Sequence, residues 1–257
     1  MAIFSIYQRF KTLPMLKISI ADAPTGSGKT TALAKNAITM LNNNKTVIFI
    51  QPTKDLNQQT AKQLADLNRF AHIELINGDT YPKATVARLA EHLRKPFDQP
   101  HVILTTHESF ERIPYRTGME RYDLFCDEIP KAFKTVSERL PHNHGKLTEA
   151  ITVISRGSSY GEVRVTNEGQ LRRIAENRKN DAVDGIFQPF ARSILDDNYR
   201  TFVNLEQYEN LRRGSSVETH LTMFSLVEPK LYAGFQSVRM AGARATETIL
   251  HKWFKRL

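Results

Sequence analysis

Short apolar runs alternate with amphipathic stretches through the first half of the chain, a pattern that predicts strands alternating with helices. From Leu16 the residues alternate apolar and polar, then give way to small residues and to a helix-like pattern starting near Lys29. On that helix Leu33, Ala37, Met40 and Leu41 share one face, and the turn formers NNNK close it. TVIFIQP follows as a continuous apolar run, as expected of a parallel strand covered on both faces. A second helix is predicted from Asp55 to Phe70 with Leu56, Leu64 and Leu67 as its apolar positions. HIELING, the stretch from Tyr81 to Leu93, and HVILTTH then repeat strand, helix and strand. A right-handed βαβ connection is the default for such a series. Ahead of it, Gln8 is expected on a short N-terminal helix, with Pro14 punctuating the approach to the first strand.

The turn between the first long strand and its helix carries the first candidate chemistry. It reads Pro24, Thr25, Gly26, Ser27, Gly28, Lys29, Thr30, Thr31, with Ala23 where the strict phosphate-loop pattern has glycine. Gly26 and Gly28 let backbone amides turn inward at the positive end of the helix, where they can donate to phosphate oxygens. Lys29 supplies a mobile charge for the β- and γ-phosphates of a nucleotide, and the Thr30 hydroxyl can join a Mg²⁺ shell. A plain Gly/Ser-rich turn is the bland alternative, and the strand before and helix after it argue against that.

RYDLFCDE builds the second candidate. Leu124, Phe125 and Cys126 predict a buried strand that delivers Asp127 and Glu128 at its C-terminal end, where open α/β sheets place their ligands. In a P-loop enzyme Asp127 would hold Mg²⁺ and Glu128 would orient or deprotonate the attacking water. Two acids at a strand end can equally be a turn when taken alone; their position after a phosphate loop favours chemistry.

The series APTGSGKT, QPTK, TTHES and DEIP resembles motifs I, Ia, Ib and II of the superfamily 2 helicases, the group that contains the DEAD- and DExH-type enzymes. Ile129 and Pro130 stand where the DEAD-box subgroup has Ala and Asp, so the likeness is to the superfamily. The resemblance implies an α/β fold, a P-loop NTPase RecA-like domain with a mostly parallel central sheet flanked by helices, with ATP and Mg²⁺ as cofactors. It implies Lys29, Asp127 and Glu128 as catalytic residues, residues 24 to 31 as the nucleotide loop, and Thr30 and Asp127 on the metal. It also implies that Pro52, Thr53, Lys54, Thr105 and Thr106 face a DNA or RNA backbone and hold it mainly through phosphates. Helix capping and strand ending remain the alternative roles for these five residues.

From Lys131 to about 215 the alternation fades into mixed signals, read as an insertion between motifs II and III within one domain spanning 1–257. Gly157, Ser158, Ser159 and Gly161 suggest a turn, EVRVT one arm of a hairpin, and Arg172, Arg173, Arg178 and Lys179 either a nucleic-acid contact or a solvated helix face. Val238 to Ala243 reads as a further core strand and Thr246 to Phe254 as a short helix; MAGARATET resembles a divergent motif III around Thr246 and Thr248. Gln236, Arg239, Gly242 and Arg244 have the wrong spacing for motif VI. An arginine for the γ-phosphate is therefore expected from a second RecA-like domain or partner subunit.

Composition adds little to this. A formal charge of +9 favours an anionic partner, and Cys126 as the only cysteine suits a reducing, cytoplasmic interior. No apolar run approaches the ~18 residues of a membrane span, so no membrane partner is expected. A P-loop enzyme of small-molecule metabolism, such as a kinase, and a non-catalytic or split module needing a partner stay open as alternatives to a helicase motor.

Overall fold

The computed structural model describes residues 2–8, 16–95, 98–114, 117–155, 157, 159–214 and 220–256. Pro14 and Ser158 lie outside them. The chain divides into two compact units, Met1–Pro130 with Pro229–Leu257, and Lys131–Glu228.

The first unit opens with β1 (Ala2–Gln8), a strand where the sequence reading expected a helix around Gln8. The segment is rich in β-branched and aromatic residues, Ile3, Phe4, Ile6 and Tyr7, which favour extended backbone, and it forms an antiparallel ladder with β2 (Leu16–Asp22). The chain then runs α1 (Lys29–Asn42), β3 (Thr46–Gln51), α2 (Lys54–Leu67), β4 (Ile73–Leu75), α3 (Thr85–Arg94), β5 (Val102–Thr106), α4 (His107–Glu111) and β6 (Tyr122–Asp127). Val47 to Ile50 and Val102 to Leu104 are sealed from solvent, as continuous apolar strands in a sheet covered on both faces should be. Full burial of each such side chain contributes roughly 1.5–3 kcal/mol.

The second unit contains β7 (Phe133–Arg139), α5 (Gly145–Thr148), β8 (Ile151–Ser155), β9 (Tyr160–Val165), α6 (Glu168–Glu176), α7 (Ala182–Leu195), β10 (Tyr199–Asn204), α8 (Leu205–Arg212) and β11 (His220–Val227). Its five strands form an antiparallel sheet in the order β7-β11-β10-β9-β8. Phe187 and Phe190 of α7, Leu171 and Ile174 of α6, and Val203 and Met223 of the sheet share its core. The predicted hairpin arm EVRVT is β9, paired with β8. Whereas the sequence placed the inserted region at about 131–215, the unit runs on through β11, which lies between β7 and β10. In the basic cluster, Arg172 pairs with Glu168 and Arg178 with Glu176.

The chain returns to the first unit with β12 (Ser237–Gly242) and α9 (Ile249–Phe254). Its sheet has the order β1-β2-β12-β6-β3-β5-β4, parallel throughout except for β1. Among the described residues no helix is long and apolar enough to cross a membrane.

Candidate nucleotide site and adjoining groove

The C-terminal ends of β2, β12, β6 and β3 bring the candidate chemistry together. After β2, the Ala23 amide donates to the Gly242 carbonyl (3.1 Å), so the loop leaves the sheet anchored to the neighbouring strand. Residues 24 to 28 are exposed. Gly26 and Gly28 hold φ of +77° and +79°, and a Cβ on either would meet nothing within 4 Å. Backbone sign rather than crowding requires glycine here, and the space beyond the loop is open. Helix α1 begins at Lys29 with no side chain capping it, so its first amides point toward the loop with the positive end of the helix dipole behind them. Lys29 Nζ donates to the carbonyls of Ala23 (3.1 Å) and Pro24 (2.7 Å), which hold its charge over the loop.

Opposite the loop, Thr30 Oγ1 donates to Asp127 Oδ2 at 2.7 Å, joining two predicted metal residues. Asp127 is buried, while Glu128 beside it is exposed with φ of +72°. This left-handed step ends β6 and turns the next side chain outward, a strained conformation for a non-glycine residue. His107 Nε2 lies 3.2 Å from the Asp127 carbonyl, and burial holds the imidazole below its usual pKa against the pull of that contact. On the other side, a Cβ at Gly242 would stand 2.6 Å from Ile129 Cγ1 and 3.4 Å from the Ile129 nitrogen. Gly242 thus fits between the start of the loop and the turn after Asp127.

Sequence reasoning missed the residues beneath this site. Gln51, at the end of β3, is fully buried, and its Nε2 donates to Asp127 Oδ2 (3.0 Å) and to Thr60 Oγ1 (2.9 Å). Asn57 Nδ2 donates to Gln51 Oε1 and to the Thr105 carbonyl, each at 3.1 Å. Asn57, Thr60 and Leu64 are the buried residues of α2, whereas Leu67, expected inward, is 41% exposed. The spacing of three and then four residues was available as a signal, but it belongs to polar residues that an apolar pattern discards.

The helicase-like loops meet at a cavity of about 580 Å³ lined by Pro52, Thr53, Lys54, Thr106, Ser109, Lys83 and Arg112 among others. Thr53 accepts from the Leu56 amide and so caps α2; Thr106 accepts from the Ser109 amide and caps α4. Lys54 pairs with Asp79. Thr105 lies buried below the cavity, so only its neighbour Thr106 of that pair reaches the lining. In the region resembling motif III, the Thr246 amide and hydroxyl donate to Asp22 Oδ2 (3.4 and 3.1 Å), and Thr248 caps α9. Burial raises the Asp22 pKa, but hydrogen bonds from the Ala245 and Thr246 amides and the Thr246 hydroxyl outweigh it and lower the pKa.

A mostly parallel α/β sheet whose second strand opens into a glycine loop and helix, facing a carboxylate at the end of a strand two places away, is the arrangement of a P-loop fold. Residues 5–130 match the family model of the DEAD/DEAH box helicase. Among solved structures, that of S. tokodaii Xpd4 is similar with a TM-score of 0.41 and 12% identity, over 89% of this chain and 53% of that one. The chain spans about half the length of the solved chain it matches. No curated protein matches the sequence.

Proposed function

We propose that the chain binds ATP with Mg²⁺ and hydrolyses ATP as a helicase or translocase motor acting on DNA or RNA. The observation that carries this reading is the 2.7 Å bond between Thr30 and Asp127, which joins the phosphate loop to the acidic strand end. The residues present fit the nucleotide and its metal. Open space beyond Gly26 and Gly28 suits phosphate oxygens. The Asp127 carboxylate accepts from two neutral donors, neither of which brings a positive charge that would compete with a cation. Thr30 and Asp127 would hold the Mg²⁺, which when bound neutralises charge on the phosphates.

Lys29 would leave the Ala23 and Pro24 carbonyls for the β- and γ-phosphates. Glu128, turned outward beside Asp127, would align the attacking water and accept its proton. Thr53, Lys54 and Thr106, with exposed amides near Pro52, would hold the nucleic-acid backbone in the groove without reading bases. The arginine that completes such a site would come from a second RecA-like domain or a partner subunit.

ATP hydrolysis measured with and without single- and double-stranded nucleic acid tests this reading. Stimulation by either is expected, whereas stimulation only by a small-molecule acceptor would make the chain a kinase-like P-loop enzyme. Glu128→Gln should cut turnover by about 10²- to 10⁴-fold while nucleotide still binds. Unchanged turnover would remove Glu128 from the chemistry. Lys29→Ala should weaken nucleotide affinity about tenfold or more through the loss of a charge-assisted bond.

A further inference from the structure

We propose that Gln51 is a positioning residue for Asp127, held in place by Asn57, and that together they set the affinity of the site for the nucleotide's metal ion. The inference rests on the reading that Asp127 serves that metal, and it gives a role to Gln51, the first residue of the QPTK segment, and to Asn57 of α2, neither of which the helicase resemblance assigns.

The geometry defines every amide orientation in the chain of bonds. Asp127 Oδ2 accepts from two donors, Thr30 Oγ1 at 2.7 Å and Gln51 Nε2 at 3.0 Å. Both bonds fall on one carboxylate oxygen, which fixes the rotation of the group and directs Oδ1 away from them. Gln51 cannot turn its amide over. Its Oε1 would then face the Asp127 carboxylate, and its Nε2 would face the Asn57 Nδ2 donor that now serves Oε1 at 3.1 Å. Asn57 is fixed in turn because Nδ2 also donates to the Thr105 carbonyl at 3.1 Å. Gln51, Asn57 and Thr60 are at most 1% exposed, so water does not compete for these bonds.

The choice of an amide matters chemically. A lysine or arginine at position 51 would orient the carboxylate but also compensate its charge and compete with a cation. A neutral amide orients it and leaves the charge intact. The same Asn57 group that holds Gln51 holds the end of β5, one residue before Thr106 enters the groove lining. Partners of this kind, one bond removed from a metal, typically govern affinity by about 10- to 100-fold.

The test is a titration of a fluorescent ADP analogue against the full chain, in EDTA and over a range of Mg²⁺ concentrations. Gln51→Met keeps the side-chain length and removes both donor and acceptor. The expected result is that the Mg²⁺ concentration for half-maximal tightening rises about tenfold while affinity in EDTA stays as in wild type. An unmoved Mg²⁺ curve, or equal weakening with and without Mg²⁺, overturns the proposal. Thr60→Val removes one buried bond of Gln51 but leaves both donors on Asp127, so its Mg²⁺ curve should match wild type. A shift as large as that of Gln51→Met would mean general loosening and would also overturn it. If Gln51→Met does not fold, Asn57→Leu should move the Mg²⁺ curve in the same direction, and an unmoved curve refutes the role of the pair. Loss of the underlying reading is recognised separately, because wild-type chain would then show no Mg²⁺-dependent tightening before any variant is made.

Discussion

His101 shows how a single buried side chain ties the stability of this protein to pH. It is fully buried just ahead of β5, its Nδ1 lies 3.1 Å from the Gln99 carbonyl, and burial lowers its pKa from 6.5 to about 4. The unfolded chain takes up a proton near 6.5 and the folded chain only near 4, so stability is intact above 6.5 and falls as the pH drops between these values. The loss attributable to His101 is about 3 kcal/mol by pH 4. Urea unfolding of His101→Phe should therefore depend less steeply on pH below 6.5 than that of wild type, and identical slopes would show that another group carries the effect. Gly242 makes a different demand, for volume. Alanine there would meet Ile129 at 2.6 Å, and the predicted result is a loss of about 1–3 kcal/mol in urea unfolding together with weaker nucleotide affinity. A neutral Gly242→Ala would mean that the turn after Asp127 has room to move.

Secondary elements were legible in the sequence to the extent that apolar residues define them. The strands β2, β3, β5, β6 and β12 and the loop before α1 follow from hydrophobic runs and glycine placement alone. Their strand ends then locate Lys29, Thr30, Asp127 and Glu128. Helix α2 was legible as a helix but not in its orientation, because its inner face presents Asn57 and Thr60 to a polar network while Leu67 faces solvent. Gln51 was hidden for the same reason, since only its pairing with Asp127 gives a buried amide its purpose. Thr105 and Thr106 are indistinguishable as neighbours in sequence, yet strand alternation sends one inward and leaves the other to cap α4. At the N-terminus, a weak helical reading lost to the ladder that β1 forms with β2, a tertiary pairing that no local window contains.

At the scale of the molecule, the two units have separate cores, and substitutions can address one without the other. Phe187→Ala empties a fully buried position in the second unit and should cost about 3–5 kcal/mol there. Hydrogen exchange should locate the loss within residues 131–228 while nucleotide affinity is retained; loss of nucleotide binding would mean that the first unit depends on the second. The order of strands has a further consequence, for the moment at which the protein becomes functional. Strand β12 lies between β2 and β6, but the entire second unit is made before it. At translation rates of about 5–20 residues per second, the strand ending in Asp127 waits roughly 5–20 seconds for the one that joins it to the phosphate-loop strand. Over that interval β2 and β6 each lack a neighbour, and nascent chains carry open strand edges that invite mispairing. On the proposed function, nucleotide binding would be a late event in the life of each new molecule, waiting for β12 to emerge from the ribosome.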